Sequence, residues 1–313
     1  MDLITKIKSF SREKRATVVA TASATLLALI KLIIGIMSGS VAVIASAIDS
    51  ILDTAISIFN FFAIKKAEEH PDDNFNYGKG KIQAIAGVIE GTIITISGLY
   101  IIYEGISKLI YKKDTQMLGV SVGVMIISIV VTWFLVKYLE KIAKETDNIV
   151  VKSDALHYKA DLLSNGAVLL ALFLVSITGL DFIDAIFGIA IGGYIIYSAY
   201  EIIRDGVLIL LDRSLEADIV AKIGEIISNT PEVRGYHYLK TRTDGTHNFV
   251  DFHLVLTPEM TLAKAHDIAE DIICKISALE PNKGWLINPH FDPHDDEEIN
   301  IRYFEGKASC EKE

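Results

Sequence analysis

Hydrophobic residues run along the first two thirds of this chain in stretches too long for the core of a soluble domain. Residues 32–48, 115–136, 162–180 and 185–200 carry no charge at all, and residues 16–30 are equally clean until Lys31 interrupts a run that then resumes. A helix crossing a bilayer needs about 20 mostly apolar residues. The pattern predicts six spans, at about 16–37, 41–63, 82–110, 117–139, 155–178 and 181–203. A cleaved signal peptide is the competing reading of the first run, but no small-residue cleavage site closes it and five more spans follow. After residue 213 the period shortens. Ile219, Ile223, Ile226 and Ile227 line one side of a predicted helix at 214–229. Strands are predicted at 233–241 and 247–257, with Asp244-Gly245 as the turn between them. A helix at 261–278, capped by Thr261, and a strand near 284–291 complete an αββαβ order.

Composition separates the same two regions. The 313 residues are 51% hydrophobic and 22% charged, with a net charge of −10 and a mean hydropathy of +0.38. Residues 1–213 hold 20 Lys+Arg and 21 Asp+Glu, net −1; residues 214–313 hold 10 and 19, net −9. This excludes a disordered chain, a nucleic-acid binder driven by net charge, and a purely soluble enzyme. Cys274 and Cys310 are the only cysteines, so there is neither a disulfide framework nor a cysteine-based zinc finger. The expected domains are an N-terminal segment at 1–15, a transmembrane domain at 16–211, a second domain at 212–300 and a tail at 301–313. Thirteen cations flank one set of connections: Lys6, Lys8, Arg12, Lys14 and Arg15, then Lys65, Lys66, Lys79 and Lys81, then Lys137, Lys141, Lys144 and Lys152. Only Lys108, Lys112 and Lys113 flank the other set. The excess predicts both termini, and the acidic domain, on the cytoplasmic side.

Charges inside the apolar runs need a reason, because a carboxylate at the bilayer centre costs about 2.5–3.5 kcal/mol on insertion scales. Asp49 and Asp53 in the second span are separated by i, i+4 and share a helix face, as do His157 and Asp161 in the fifth, with Asn165 one turn on. Two helices meeting on these faces offer carboxylate oxygens and one imidazole nitrogen, a set that suits a tetrahedral zinc-like cation. Polar residues that merely hydrogen-bond between helices are the plainer alternative. Two matched acidic pairs that repel without a cation or protons argue against it. Lys31 reads as snorkelling or paired within the bundle, Asp181 and Asp184 as caps of the sixth span, Gly188 and Gly192 as a close helix contact, and Glu90 and Glu104 as brackets of the third span's core rather than site residues. Six of the eight histidines follow residue 236: His237, His247, His253, His266, His290 and His294. His237 and His253 are equidistant from Gly245, so a hairpin would set them opposite one another.

These features resemble the cation diffusion facilitator family of divalent-metal transporters, most closely its bacterial YiiP-type branch. The likeness is carried by Ser38-Gly39-Ser40-Val41-Ala42 leading to Asp49-Ser50-Ile51-Leu52-Asp53 and by Pro71-Asp72-Asp73-Asn74 through Tyr77-Gly78-Lys79-Gly80-Lys81. It continues in Leu156-His157-Tyr158-Lys159-Ala160-Asp161, Asn165-Gly166-Ala167 and Leu211-Asp212-Arg213. The resemblance implies a membrane all-α fold of six transmembrane helices plus a cytoplasmic α+β, metallochaperone-like C-terminal domain. It implies that Asp49, Asp53, His157 and Asp161 are a transport site for Zn²⁺, with Fe²⁺ or Cd²⁺ as alternatives. The imidazole argues against Mg²⁺ and Ca²⁺, and a Mn²⁺-selective member would carry Asp in its place. It further implies a regulatory site at His237, His253, His266, His290 and Asp292, although a two-residue insertion near Asn288-Pro289 shifts the spacing. A Lys81–Asp212 ion pair, a hydrophobic seal at Leu156, a homodimer and a bacterial cytoplasmic-membrane location follow from the same likeness. YiiP-type proteins carry histidines where this chain has Phe75 and Lys79, so a metal site at Asp72 and Asp73 is expected to be absent or very weak. The expected activity is metal/proton antiport by alternating access, with lipid, divalent ions and protons as partners and no nucleic acid. It is not an enzyme, since no His-Glu-x-x-His motif or separate general base accompanies the site. A membrane-anchored metal sensor is the remaining alternative.

Overall fold

A computed structural model describes residues 10–38, 41–111, 119–178 and 182–295. The expected 301–313 tail, most of the 1–15 segment, Lys112, Lys113 and Asp181 lie outside the described residues. The chain divides into two compact units at Leu210.

The first unit is a bundle of six long helices: α1 (Arg12–Ser38), α2 (Val41–Ala67), α3 (Ile82–Tyr111), α4 (Gly119–Thr146), α5 (Ile149–Thr178) and α6 (Phe182–Leu210). Among the described residues, α1, α2, α3, α4 and α6 contain stretches long and apolar enough to cross a membrane. The 30-residue α5 carries the polar groups Lys152, Asp154, His157, Lys159 and Asp161 in its first half. Hydropathy makes the helices too short. α4 runs to Thr146 rather than 139, α5 starts at Ile149 rather than 155, and α6 reaches Leu210 rather than 203. The helices continue beyond their apolar stretch because capping and ion pairs sustain them there. Asn148 Oδ1 accepts the backbone N–H groups of Val150 (3.0 Å) and Val151 (3.2 Å), an N-cap for α5. Arg12 pairs with Glu145 at 3.0 Å, and Lys14 pairs with Glu68.

Small residues let the helices approach closely. Ala16, Ala20 and Ala24 are buried along α1, and α3 and α6 meet through glycines. A Cβ on Gly192 would stand 2.8 Å from the Gly98 carbonyl, and one on Gly98 would stand 3.1 Å from the Gly192 carbonyl, so neither position has room for a side chain. The expected Gly188–Gly192 contact is therefore carried by Gly192, whereas a Cβ on Gly188 would meet Ile101 only at 3.9 Å. Large apolar side chains such as Ile36, Met37, Phe62, Tyr103, Phe134 and Ile177 point outward, as lipid-facing residues do.

The second unit contains α7 (Ala217–Ser228), β1 (Gly235–Thr243), β2 (His247–Val255), α8 (Leu262–Ser277) and β3 (Gly284–Asp292), the expected αββαβ order. The sheet order is β1-β2-β3, with β1 antiparallel and β3 parallel to β2. Ile223, Ile227, Val250, Phe252, Leu254, Ile272 and Ile276 form its core between the helices and the sheet. Thr261 caps α8 by accepting the Lys264 N–H. The β1–β2 turn is held by Asp244, whose Oδ1 accepts the N–H groups of Thr246 (2.8 Å) and His247 (2.7 Å), while Gly245 takes φ 96°.

Candidate functional site

In the helical unit, Asp53 from α2 meets His157 and Asp161 from α5. His157 Nε2 lies 2.9 Å from Asp53 Oδ1 and 3.9 Å from Asp161 Oδ2, and one ligand atom from each residue falls within a 4.8 Å set. The i, i+4 spacing puts His157 and Asp161 on the same face of α5, and α2 supplies the opposite wall. The imidazole is 12% exposed and Asp161 43%, so the cluster is enclosed on one side and open on the other. Asp49 stands one turn earlier on α2, exposed and outside this three-residue set. Asn165 donates to its own helix at the Asp161 carbonyl, 2.8 Å away. Leu156 is buried in the helical core, and Tyr158 hydrogen-bonds Ser57 at 2.8 Å beside it.

Two further groups border the cluster. Lys31 is 9% exposed and donates to Ser50 Oγ at 2.8 Å; it pairs within the bundle rather than snorkelling. Its ammonium also acts electrostatically on Asp53, Asp161 and Asp49. Asn60 on α2 donates to Glu90 of α3 and to Asp154 of α5, at 2.9 Å each. Sequence reasoning missed Asn60 and Asp154. The available signal was a carboxylate three residues before His157, just outside the predicted fifth span.

In the second unit the strand register aligns His237 with His253 and His253 with His290, so three histidines stand in a row across the sheet. Asp292 ends β3 and turns one oxygen into this row. Its Oδ2 lies 3.1 Å from His237 Nε2 and 2.6 Å from His253 Nδ1, and its Oδ1 is 3.3 Å from His290 Nε2. His237, His253 and Asp292 again offer ligand atoms within 4.8 Å of one another. A buried and a half-buried imidazole, His237 and His253, converging on one buried carboxylate make a donor set suited to zinc-like ions. His266 stands exposed on α8, outside this set, and His294 is exposed beyond β3.

His247 faces Asp244, with Nδ1 3.5 Å from Oδ2. Burial would raise the Asp244 carboxyl, but hydrogen bonds from His247 and Thr246 outweigh it and hold it below its ordinary value. The bond to Asp244 raises His247 above the ordinary histidine value against the opposing effect of burial. His247 thus holds its proton more tightly in the folded chain. The pair's contribution to stability is present below the ordinary histidine range and is lost as pH rises through the raised folded value. An NMR titration should find His247 titrating above about 6.5, and Asp244→Asn should bring it down. An unchanged titration in that variant would remove Asp244 as the cause.

The remaining expected pieces are arranged as follows. Lys79 Nζ lies 2.5 Å from Asp72 Oδ2 and 3.5 Å from Glu69, so an ammonium sits against the loop carboxylate. That bond holds Asp72 below the usual carboxylate range. Within their own units, Lys81 donates to the Leu210 carbonyl at 3.3 Å, and Asp212 pairs with Arg242 at 3.3 Å.

The chain matches two family descriptions: a cation efflux transmembrane domain over residues 17–211 and a cation efflux protein cytoplasmic domain over residues 215–294. It is 36% identical over 279 residues to the cation-efflux pump FieF of Escherichia fergusonii, covering 89% of this chain and 92% of that one. It is 37% identical over 278 residues to FieF of Pectobacterium carotovorum, with the same coverage of 89% and 92%. The Escherichia coli FieF is 35% identical over 279 residues. With both domains matched in order and relatives similar over nearly their whole length, this chain belongs to the cation efflux, or cation diffusion facilitator, family of membrane transporters.

Proposed function

We propose that the protein exports a divalent transition-metal cation, Zn²⁺ in preference to Fe²⁺ or Cd²⁺, in exchange for protons. The observation that carries this reading is the convergence of Asp53, His157 and Asp161 from two helices of an apolar bundle. Asp49 completes the ligand set when metal binds. A nitrogen among carboxylate oxygens favours Zn²⁺ over the hard cations Mg²⁺ and Ca²⁺. Metal binding requires deprotonated carboxylates and a neutral imidazole, so it displaces protons. Rocking of the bundle then exposes the site to the opposite side, where protons return and metal leaves. With a reference pKa of about 6.5, His157 is suited to carry one of them. The cationic connections support cytoplasmic termini in a bacterial inner membrane.

The His237–His253–Asp292 cluster, with His290 beside it, supports a second, regulatory metal site, to which His266 is drawn only on rearrangement or dimerisation. The cytoplasmic-domain match supports a homodimer. Leu156 seals the transport site. The Lys79–Asp72 bond supports the absence of a loop site, because an ammonium already neutralises the carboxylate. The test is flux of Zn²⁺, Fe²⁺, Cd²⁺ and Mn²⁺ into proteoliposomes with an imposed pH gradient. Zn²⁺ uptake that rises with the gradient is expected. Flux indifferent to the gradient rejects antiport, and a Mn²⁺ preference rejects the metal assignment.

A further inference from the structure

One turn along α5 from His157, the bundle holds a second acidic group that metal coordination does not use. Glu90 is 1% exposed, and Asp154 and Asn60 are fully buried. The Asn60 amide donates one hydrogen to Glu90 Oε2 and the other to Asp154 Oδ1, both at 2.9 Å, and so clamps two carboxyl groups from different helices. The shared amide thereby sets the two carboxyl groups side by side. Such a contact is repulsive between two carboxylates and becomes a bond when one of them carries a proton. Glu90 Oε1, Asp154 Oδ2 and Asn60 Oδ1 have no N–H or O–H donor among the described residues. A buried pair of anions served by one neutral amide needs a positive charge at its centre.

A proton fits this centre better than a metal ion. Both hydrogens of the Asn60 amide point at the carboxyl groups, so the positive end of that dipole faces the space a cation would occupy. The groups facing the pair are Asn60 from α2, Glu90 from α3, and Asp154 and His157 from α5, with Ser57 and Tyr158 bonded to one another at the flank. His157 and Asp154 are i, i+3 neighbours, about 4.5 Å apart along the helix axis, so charge arriving at one is felt at the other.

We propose that Glu90 and Asp154 share one proton beside the metal centre and release it when a divalent cation binds at Asp53, His157 and Asp161. The O–H bond of the shared acid breaks, the proton leaves to bulk water, and the cation offsets the two carboxylates that remain. No electrons move. The pair is then part of the proton account of transport, and this inference rests on the antiport reading above.

The experiment counts protons released per Zn²⁺ bound to the full-length protein, by calorimetry in buffers of different ionisation enthalpy. Glu90→Gln is expected to release fewer protons than the wild type, by up to about one per ion. The infrared C=O band of a buried carboxylic acid should be present in the metal-free wild type, fade on Zn²⁺ addition and be missing in the variant. Asp154→Asn reads the same quantities where Glu90→Gln does not fold. A purely structural clamp predicts equal proton counts in wild type and variants, and that result overturns the proposal while leaving antiport intact. A wild type that releases no protons at all rejects antiport itself.

Discussion

Replacing His157 with alanine is expected to abolish metal flux in proteoliposomes. The imidazole is the only nitrogen in the cluster and lies 2.9 Å from Asp53 and 3.9 Å from Asp161, between carboxylates contributed by two helices. Its removal takes away the softest ligand and leaves the acids to repel one another. Disturbing partners that merely orient a metal's ligands costs about 10–100-fold in affinity or activity, and losing a ligand costs at least that. Asp53→Ala should match it. Asp49→Ala is the sharper test, because Asp49 stands outside the three-residue set and is expected to join only with metal bound. Normal flux in His157→Ala would sink the site, whereas normal flux in Asp49→Ala alone would reduce it to three protein ligands.

The second large effect is expected from Asp292→Ala. One oxygen of Asp292 meets both His237 and His253, and the other meets His290. Without it three imidazoles remain, and they repel whenever more than one is protonated. Zn²⁺ binding to the full-length protein should lose the ions held by the cytoplasmic unit, with affinity there falling by on the order of 100-fold. Flux through the helical unit should persist, altered in its dependence on metal concentration. Unchanged Zn²⁺ stoichiometry would remove Asp292 from the site. Complete loss of flux in folded protein would instead make this cluster part of the transport path.

The two predictions differ in how far they could be read from the chain. Asp49, Asp53, His157 and Asp161 were visible because helical spacing is fixed at 3.6 residues per turn, and carboxylates in an apolar run demand an explanation. The His237–His253 pairing was visible because a turn at Gly245 dictates the register of its hairpin, despite the bulge between His237 and Lys240. His290 was less accessible. It joins the row only because β3 runs parallel to β2 after the α8 crossover, a choice that no local pattern encodes. The exclusion of His266 has the same origin, since the face that α8 presents depends on how it packs against the sheet.

Local sequence determined what depends on periodicity and composition: the apolar helices, the acidic second domain, the order of its elements and the two helix faces that carry Asp49, Asp53, His157 and Asp161. Only the tertiary structure decided which faces meet. It separated Asp49 from Asp53, His157 and Asp161, turned Lys31 inward to Ser50, and brought Asn60, Glu90 and Asp154 together from positions 30 and 94 residues apart. Such contacts are set by helix packing, where glycines such as Gly98 and Gly192 fix the approach, and a buried polar group acquires its role only from the partners that packing supplies.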